Sequence, residues 1–242
     1  MIQRDLEIQT ADGLMNTFIA YPDTQKQYPV IVFYMDAPGK RQELHDMAVR
    51  LASAGYYVVL PNLYYRKDRD FVMEPSEAGR AYMFELMNAL TTELIDQDTQ
   101  SILDFVAGEE QASDGPMGCV GYCMSGPFVF SAASTFSPRM QASASFHGIR
   151  LFTEDPHSPH LRADKIAGEI YFGCAETDQW APPEMIEGLE AYLHKTDLDW
   201  RVEWYPGTHH GFVFPLREGM YDEPSAERHW ERILDLFERK LT

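Results

Sequence analysis

Apolar and polar positions change rhythm along the chain, and the rhythm predicts a strand and helix succession. "DLEIQT" and "LMNTFIAYP" alternate with a partial period of two on either side of the turn signal "ADG", the pattern of an amino-terminal β-hairpin. "YPVIVFYM" (28–35) is a continuous apolar run rich in β-branched and aromatic residues, as in a strand covered on both faces. Residues 42–54 place Leu44, Met47, Ala48 and Leu51 on one helical face before the stop at Gly55. "YYVVLPN" (56–62) reads as the next strand, followed by the mixed-charge loop "LYYRKDRDFVMEP" and by helical patterns over 76–95 and 97–107.

The strand-like "MGCVGYC" (117–123) then turns helical from Met124 to about Phe136. Strands are expected at 141–148, 168–178 and 199–207, with helices at 183–195 and about 224–241. Strand and helix alternate with buried strands, so the expected class is α/β: one domain over 1–242, a mostly parallel central sheet with helices on both faces and an antiparallel hairpin at its start. The irregular stretch 150–165, containing "EDPHSPH", is expected as a lid or rim loop.

Composition narrows the function classes. With 45% hydrophobic and 24% charged residues the chain has the makeup of a globular protein. A formal net charge of −18, without any Lys/Arg run, argues against nucleic acid and anionic membrane surfaces as partners. The amino terminus lacks an apolar core of signal-peptide length, and no segment reaches the ~18 apolar residues of a membrane span, so the expected location is cytoplasmic. Three cysteines, Cys119, Cys123 and Cys174, suit a reducing compartment better than a disulfide framework.

Candidate chemistry centres on "CVGYCMSGPF" (119–128). Gly121 and Ser125 flank Cys123 at two residues on either side, where a strand gives way to a helix. This is the arrangement of a nucleophile elbow: the central residue takes a strained turn, small neighbours avoid clashes, and the side chain projects at a helix N-terminus that favours a thiolate and an oxyanion. After the strand ending "YFGC" comes Asp178 in "AETDQWAPP", and after the next strand "HHGF" supplies His209 and His210. The order nucleophile, acid, histidine, each just beyond a strand end, is that of α/β-hydrolases.

On these pieces, "GYCMSG", "GCAETDQWAPP", "PGTHHGF", "IVFYMDAPG" and "LASAGYYVVLPNLYYR", the chain resembles the dienelactone hydrolase family over about residues 30–215. The resemblance implies a carboxymethylenebutenolidase-like hydrolase of a small-molecule ester or lactone, working without a cofactor or metal through a thioester acyl-enzyme. Cys123 is then the nucleophile, His210 the base and Asp178 its orienting acid, with the backbone N–H groups of Met124 and Ala37 as oxyanion hole and Asp36 as the acid that modulates the thiol. The chain carries Asp36 where prototype members have glutamate and Ser125 where they have glycine. Arg80, Tyr65, Trp180 and Phe212 are candidate substrate contacts, as are Arg66, Arg150 and Arg217.

Rival readings keep different residues in view. Asp36 and Ser125 motivate a non-catalytic binding or sensing protein on the same fold. Ser125 as nucleophile lacks a small residue two positions before it and has Pro127 two after. His157 and His160 in "HSPH" form a pair without the further ligands of a metal site. Cys119 and Cys123, four apart on the expected strand, stand about 13 Å apart at ~3.3 Å per residue, too far for a redox disulfide. The natural substrate and the oligomeric state stay open at this level.

Overall fold

A computed structural model describes residues 1–242. The chain divides into two compact units, Met1–Gly115 and Pro116–Thr242.

In the first unit, β1 (Ile2–Thr10) and β2 (Gly13–Tyr21) form the expected antiparallel hairpin, closed at the Thr10–Gly13 pair with Gly13 at φ +131. Strand β2 pairs antiparallel with β4 (Tyr57–Pro61), and β4 pairs parallel with β3 (Val30–Tyr34). Every residue of β3 and β4 is buried, which explains their unbroken apolar runs. Helix α1 (Gln42–Ser53) packs on β2 and β4 through Leu44, Met47, Ala48 and Leu51, and the chain leaves it through Gly55 at φ +100.

The next two helices differ from the expected ranges. Helix α2 (Glu77–Asn88) ends earlier, and α3 (Thr92–Val106) begins earlier. The break falls there because the Thr91 hydroxyl accepts from Leu94 N at 3.3 Å, capping a new helix. Hydrophobic periodicity runs on across such a corner and carries no mark of the cap.

The second unit is a four-stranded parallel ladder in the order β5 (Met117–Tyr122), β6 (Met140–Phe146), β7 (Glu169–Thr177) and β8 (Asp199–His209). Its two faces differ in side-chain size. Cys119, Gly121, Ser143 and Ser145 share one face, and α4 (Gly126–Thr135) settles on it; a Cβ on Gly121 would lie 2.7 Å from Val129 Cγ2. Tyr122 and Phe146 occupy the other face under α6 (Glu223–Leu241), whose His229 ring stands 4.4 Å from Phe146. Helix α6 begins at Asp222, which accepts from Ser225 N at 3.0 Å, and buries a stripe from Ala226 to Leu241.

Helix α5 (Pro183–Leu193) contacts a 3-10 turn at Pro159–Lys165, inside the segment expected as a loop. That segment is anchored rather than free-standing: Leu151, Ser158 and His160 are buried, and His160 packs on Phe152 and Tyr192. No helix is long and apolar enough to cross a membrane.

Candidate active site

The site is built at the carboxyl ends of β5, β7 and β8. Strand β5 stops at Tyr122, and the backbone turns at Cys123 with φ 54, a left-handed conformation rare for a side-chain-bearing residue. A 3-10 turn, Cys123–Ser125, leads into α4, so the thiol stands at the positive end of a helix. The elbow is held by close packing. Ser125 is fully buried in the turn, with its Cβ 3.0 Å from where a Cβ on Gly121 would sit, and a Cβ on Gly126 would meet Gly148 Cα at 2.9 Å. Ile149 N donates to the Cys123 carbonyl at 3.0 Å. The small residues legible in the sequence are those the turn requires.

Asp178 follows β7 and is buried. Its Oδ1 accepts from Trp180 N at 2.8 Å and Ala181 N at 3.0 Å, which leaves Oδ2 for His210 Nδ1 at 2.7 Å. The backbone thus aims the carboxylate before the histidine meets it. His210 follows β8, while His209, its last residue, is exposed. Next comes Gly211 at φ +87, where any Cβ would strike the Arg217 side chain.

Burial alone would lower the pKa of His210, but the Asp178 bond and the adjoining Cys123 sulfur outweigh it and raise the value to about 9. Its Nε2 is buried and lacks a conventional hydrogen bond. Cys123, His210 and Asp178 bring together a thiol, an imidazole with an unbonded ring nitrogen and a buried carboxylate on its other nitrogen, the groups that nucleophilic acyl transfer calls for.

The other sequence candidates fall in varied places. Met124 is buried in the 3-10 turn after Cys123. Ala37 lies beyond β3, buried, with its carbonyl accepting from the Tyr64 hydroxyl at 2.8 Å. Asp36 is fully buried and paired with Arg41, whose guanidinium also reaches Glu43. Trp180 is 46% exposed on the Asp178 loop. Phe212 has no exposed surface; it packs on Tyr205 and His147 as core. Tyr65 is likewise buried, its hydroxyl engaged by Thr10 and Asp98, and Arg66 forks onto Asp98 while also meeting Asp12. Arg80 is exposed on α2, Arg150 is exposed at φ 55, and Arg217 lies over Phe214. His157 is exposed while His160 is buried and bonded to Ser158. Cys119 meets Ser143, and all three cysteines are free thiols.

One residue beside His210 was missed by sequence reasoning. His147, just past β6, is buried with its ring 4.7 Å from that of His210. A lone histidine at a strand end, 63 positions from its neighbour in the chain, leaves no spacing signal.

Comparison with known proteins gives the family. The model of the dienelactone hydrolase family matches residues 15–241. The "Putative carboxymethylenebutenolidase" of a Synechocystis strain is 28% identical over 235 residues, covering 93% of this chain and 91% of its own. Protein usf of Aquifex pyrophilus is 25% identical over 199 residues, covering 82% and 81%. Among solved structures, a "Putative Dienelactone Hydrolase" from Klebsiella pneumoniae superposes with a TM-score of 0.87 at 20% identity, covering 98% of each chain. A dienelactone hydrolase-like promiscuous phosphotriesterase from metagenomic libraries gives 0.81 at 18% identity over 99% of each. The chain belongs to the dienelactone hydrolase family, hydrolases of carboxylic ester and lactone bonds on the α/β-hydrolase fold.

Proposed function

We propose that the protein hydrolyses a small ester or lactone through a thioester on Cys123. The observation that carries this reading is the Asp178–His210 pair: Asp178 holds Nδ1 of His210, which leaves Nε2 unbonded beside a cysteine at a left-handed elbow.

In the first half-reaction the thiol proton passes to His210 Nε2 as sulfur attacks the acyl carbon. The carbon–oxygen bond then breaks, and His210 returns the proton to the departing alkoxide, which stays tethered as a hydroxyl when the substrate is a lactone. In the second half-reaction His210 takes a proton from water, the hydroxide attacks the thioester, and the thiolate leaves and is reprotonated. A raised His210 pKa suits a group that must hold a proton between these steps. The N-terminal end of α4 favours the developing oxyanion, with the Met124 N–H group as its donor by family resemblance. The Asp36 carboxylate is held by the Arg41 guanidinium.

The test is stopped-flow mixing with a chromogenic acyl ester and with a small lactone, alongside mass spectrometry of the trapped enzyme. A burst with one acyl group on Cys123, absent in Cys123→Ala, is the expected result. Full turnover by Cys123→Ala would end the reading. Saturable binding without adduct or turnover would instead favour a binding protein on this fold.

A further inference from the structure

His147 is 1% exposed, and neither ring nitrogen has a hydrogen-bond partner. Buried imidazoles are normally satisfied, and this chain supplies the contrast: His229 meets the Tyr122 hydroxyl at 2.9 Å through Nε2 and the Ala226 carbonyl at 3.0 Å through Nδ1. A polar ring left without partners is kept at a cost, so its position calls for a reason. Its backbone is unusual too, with φ 39, a region that histidine enters more readily than phenylalanine or leucine. His147 N donates to the Gly173 carbonyl at 2.7 Å, which pins this strained residue to the neighbouring strand.

Four rings pack near it. Tyr122, Phe212 and Phe214 lie 6.0, 5.9 and 5.7 Å from it, and at 4.7 Å it meets His210 at an interplanar angle of 63°. His210 is tied at Nδ1 alone, and a single hydrogen bond leaves a ring free to rock about that bond. We propose that His147 is a positioning residue for His210: a neutral ring, uncommitted to any hydrogen bond, set edge-to-face against the base so that it keeps one orientation with its proton on and off. The inference rests on His210 acting as the base for Cys123.

Neutrality follows from the surroundings. The titratable groups facing His147 are Tyr122 on β5, His229 on α6, and His210 and Arg217 beyond β8. Burial first, and then the neighbouring His210, Arg217 and His229 groups, outweigh a contact with its own backbone and hold its pKa well below the ordinary value. When His210 takes up the thiol proton, it therefore faces an uncharged aromatic ring rather than a second cation.

The experiment compares wild type, His147→Ala and His147→Phe by acyl burst rate, kcat and KM, with thermal melting to confirm folding. His147→Ala is expected to slow the burst and kcat by about 10- to 100-fold with KM within about threefold, the scale expected when a catalytic group loses its alignment. His147→Phe, which returns a neutral ring without nitrogens, is expected to recover the burst to within about fivefold of wild type. A His147→Ala burst within twofold of wild type, or a folded His147→Phe as slow as His147→Ala, overturns the proposal. Should either variant fail to fold, nitrogen-15 NMR titration of the wild-type histidines decides: one neutral tautomer of His147 across the active pH range supports it, and protonation in that range overturns it. Wild type that takes no acyl group on Cys123 overturns the parent reading and this one together, whereas a wild-type burst unchanged in His147→Ala overturns this one alone.

Discussion

Replacing Asp178 by asparagine tests the site with almost no change in volume. The carboxylate has divided duties: Oδ1 accepts from two backbone N–H groups and Oδ2 accepts from His210 Nδ1. An asparagine that keeps its oxygen toward Trp180 N and Ala181 N must turn its NH₂ toward His210, which forces the imidazole into the tautomer with hydrogen on Nε2. That ring cannot accept the thiol proton. The rise of the His210 pKa from 6.5 to about 9 corresponds to about 3 kcal/mol in favour of the imidazolium, shared by Asp178 and Cys123. Losing half to all of it slows acylation by roughly 10- to 100-fold, and the wrong tautomer extends the expected loss to as much as about 10⁴-fold. Stopped-flow acylation at pH 7 measures this directly. The same pair has a stability signature. A folded pKa above the unfolded one stabilises the fold fully below pH 6.5, and this contribution disappears as pH rises through about 9. The difference in urea unfolding free energy between wild type and Asp178→Asn should therefore be larger at pH 6 than at pH 9.5. Acylation within threefold of wild type, or a stability gap independent of pH, would refute the reasoning.

Three further outcomes are expected. Gly121→Ala puts a methyl 2.7 Å from Val129 Cγ2 and 3.0 Å from Ser125 Cβ, and should cost about 1–3 kcal/mol in chemical denaturation while slowing the acyl burst as the elbow shifts. Arg41→Met removes the cation beside the fully buried Asp36 and should destabilise by about 2–4 kcal/mol at neutral pH; an unchanged urea midpoint would mean that Asp36 does not need this partner. Tyr65→Phe deprives Thr10 and Asp98 of a buried hydroxyl, with an expected loss of about 1–3 kcal/mol and an unchanged KM. A tenfold rise in KM with no change in melting would put Tyr65 at the substrate instead.

The sequence by itself determined the element succession, because burial leaves its mark as period. The unbroken runs of β3 and β4, the alternation in the hairpin and the one-sided face of α1 each follow from what the neighbouring layer excludes from water. It also carried the elbow, since Gly121 is constrained by Ser125 and Val129, four and eight residues on. Tertiary structure decided what depends on distant partners. Of the two adjacent histidines, His210 meets Asp178 while His209 faces solvent, because β8 continues through residue 209. Phe212 and Tyr65, both read as candidate contacts, turn inward onto Tyr205 and Asp98, and the Asp36 carboxylate finds Arg41. His147 became visible only when β6 delivered it to the ring of His210, since long-range packing leaves no periodic trace along the chain.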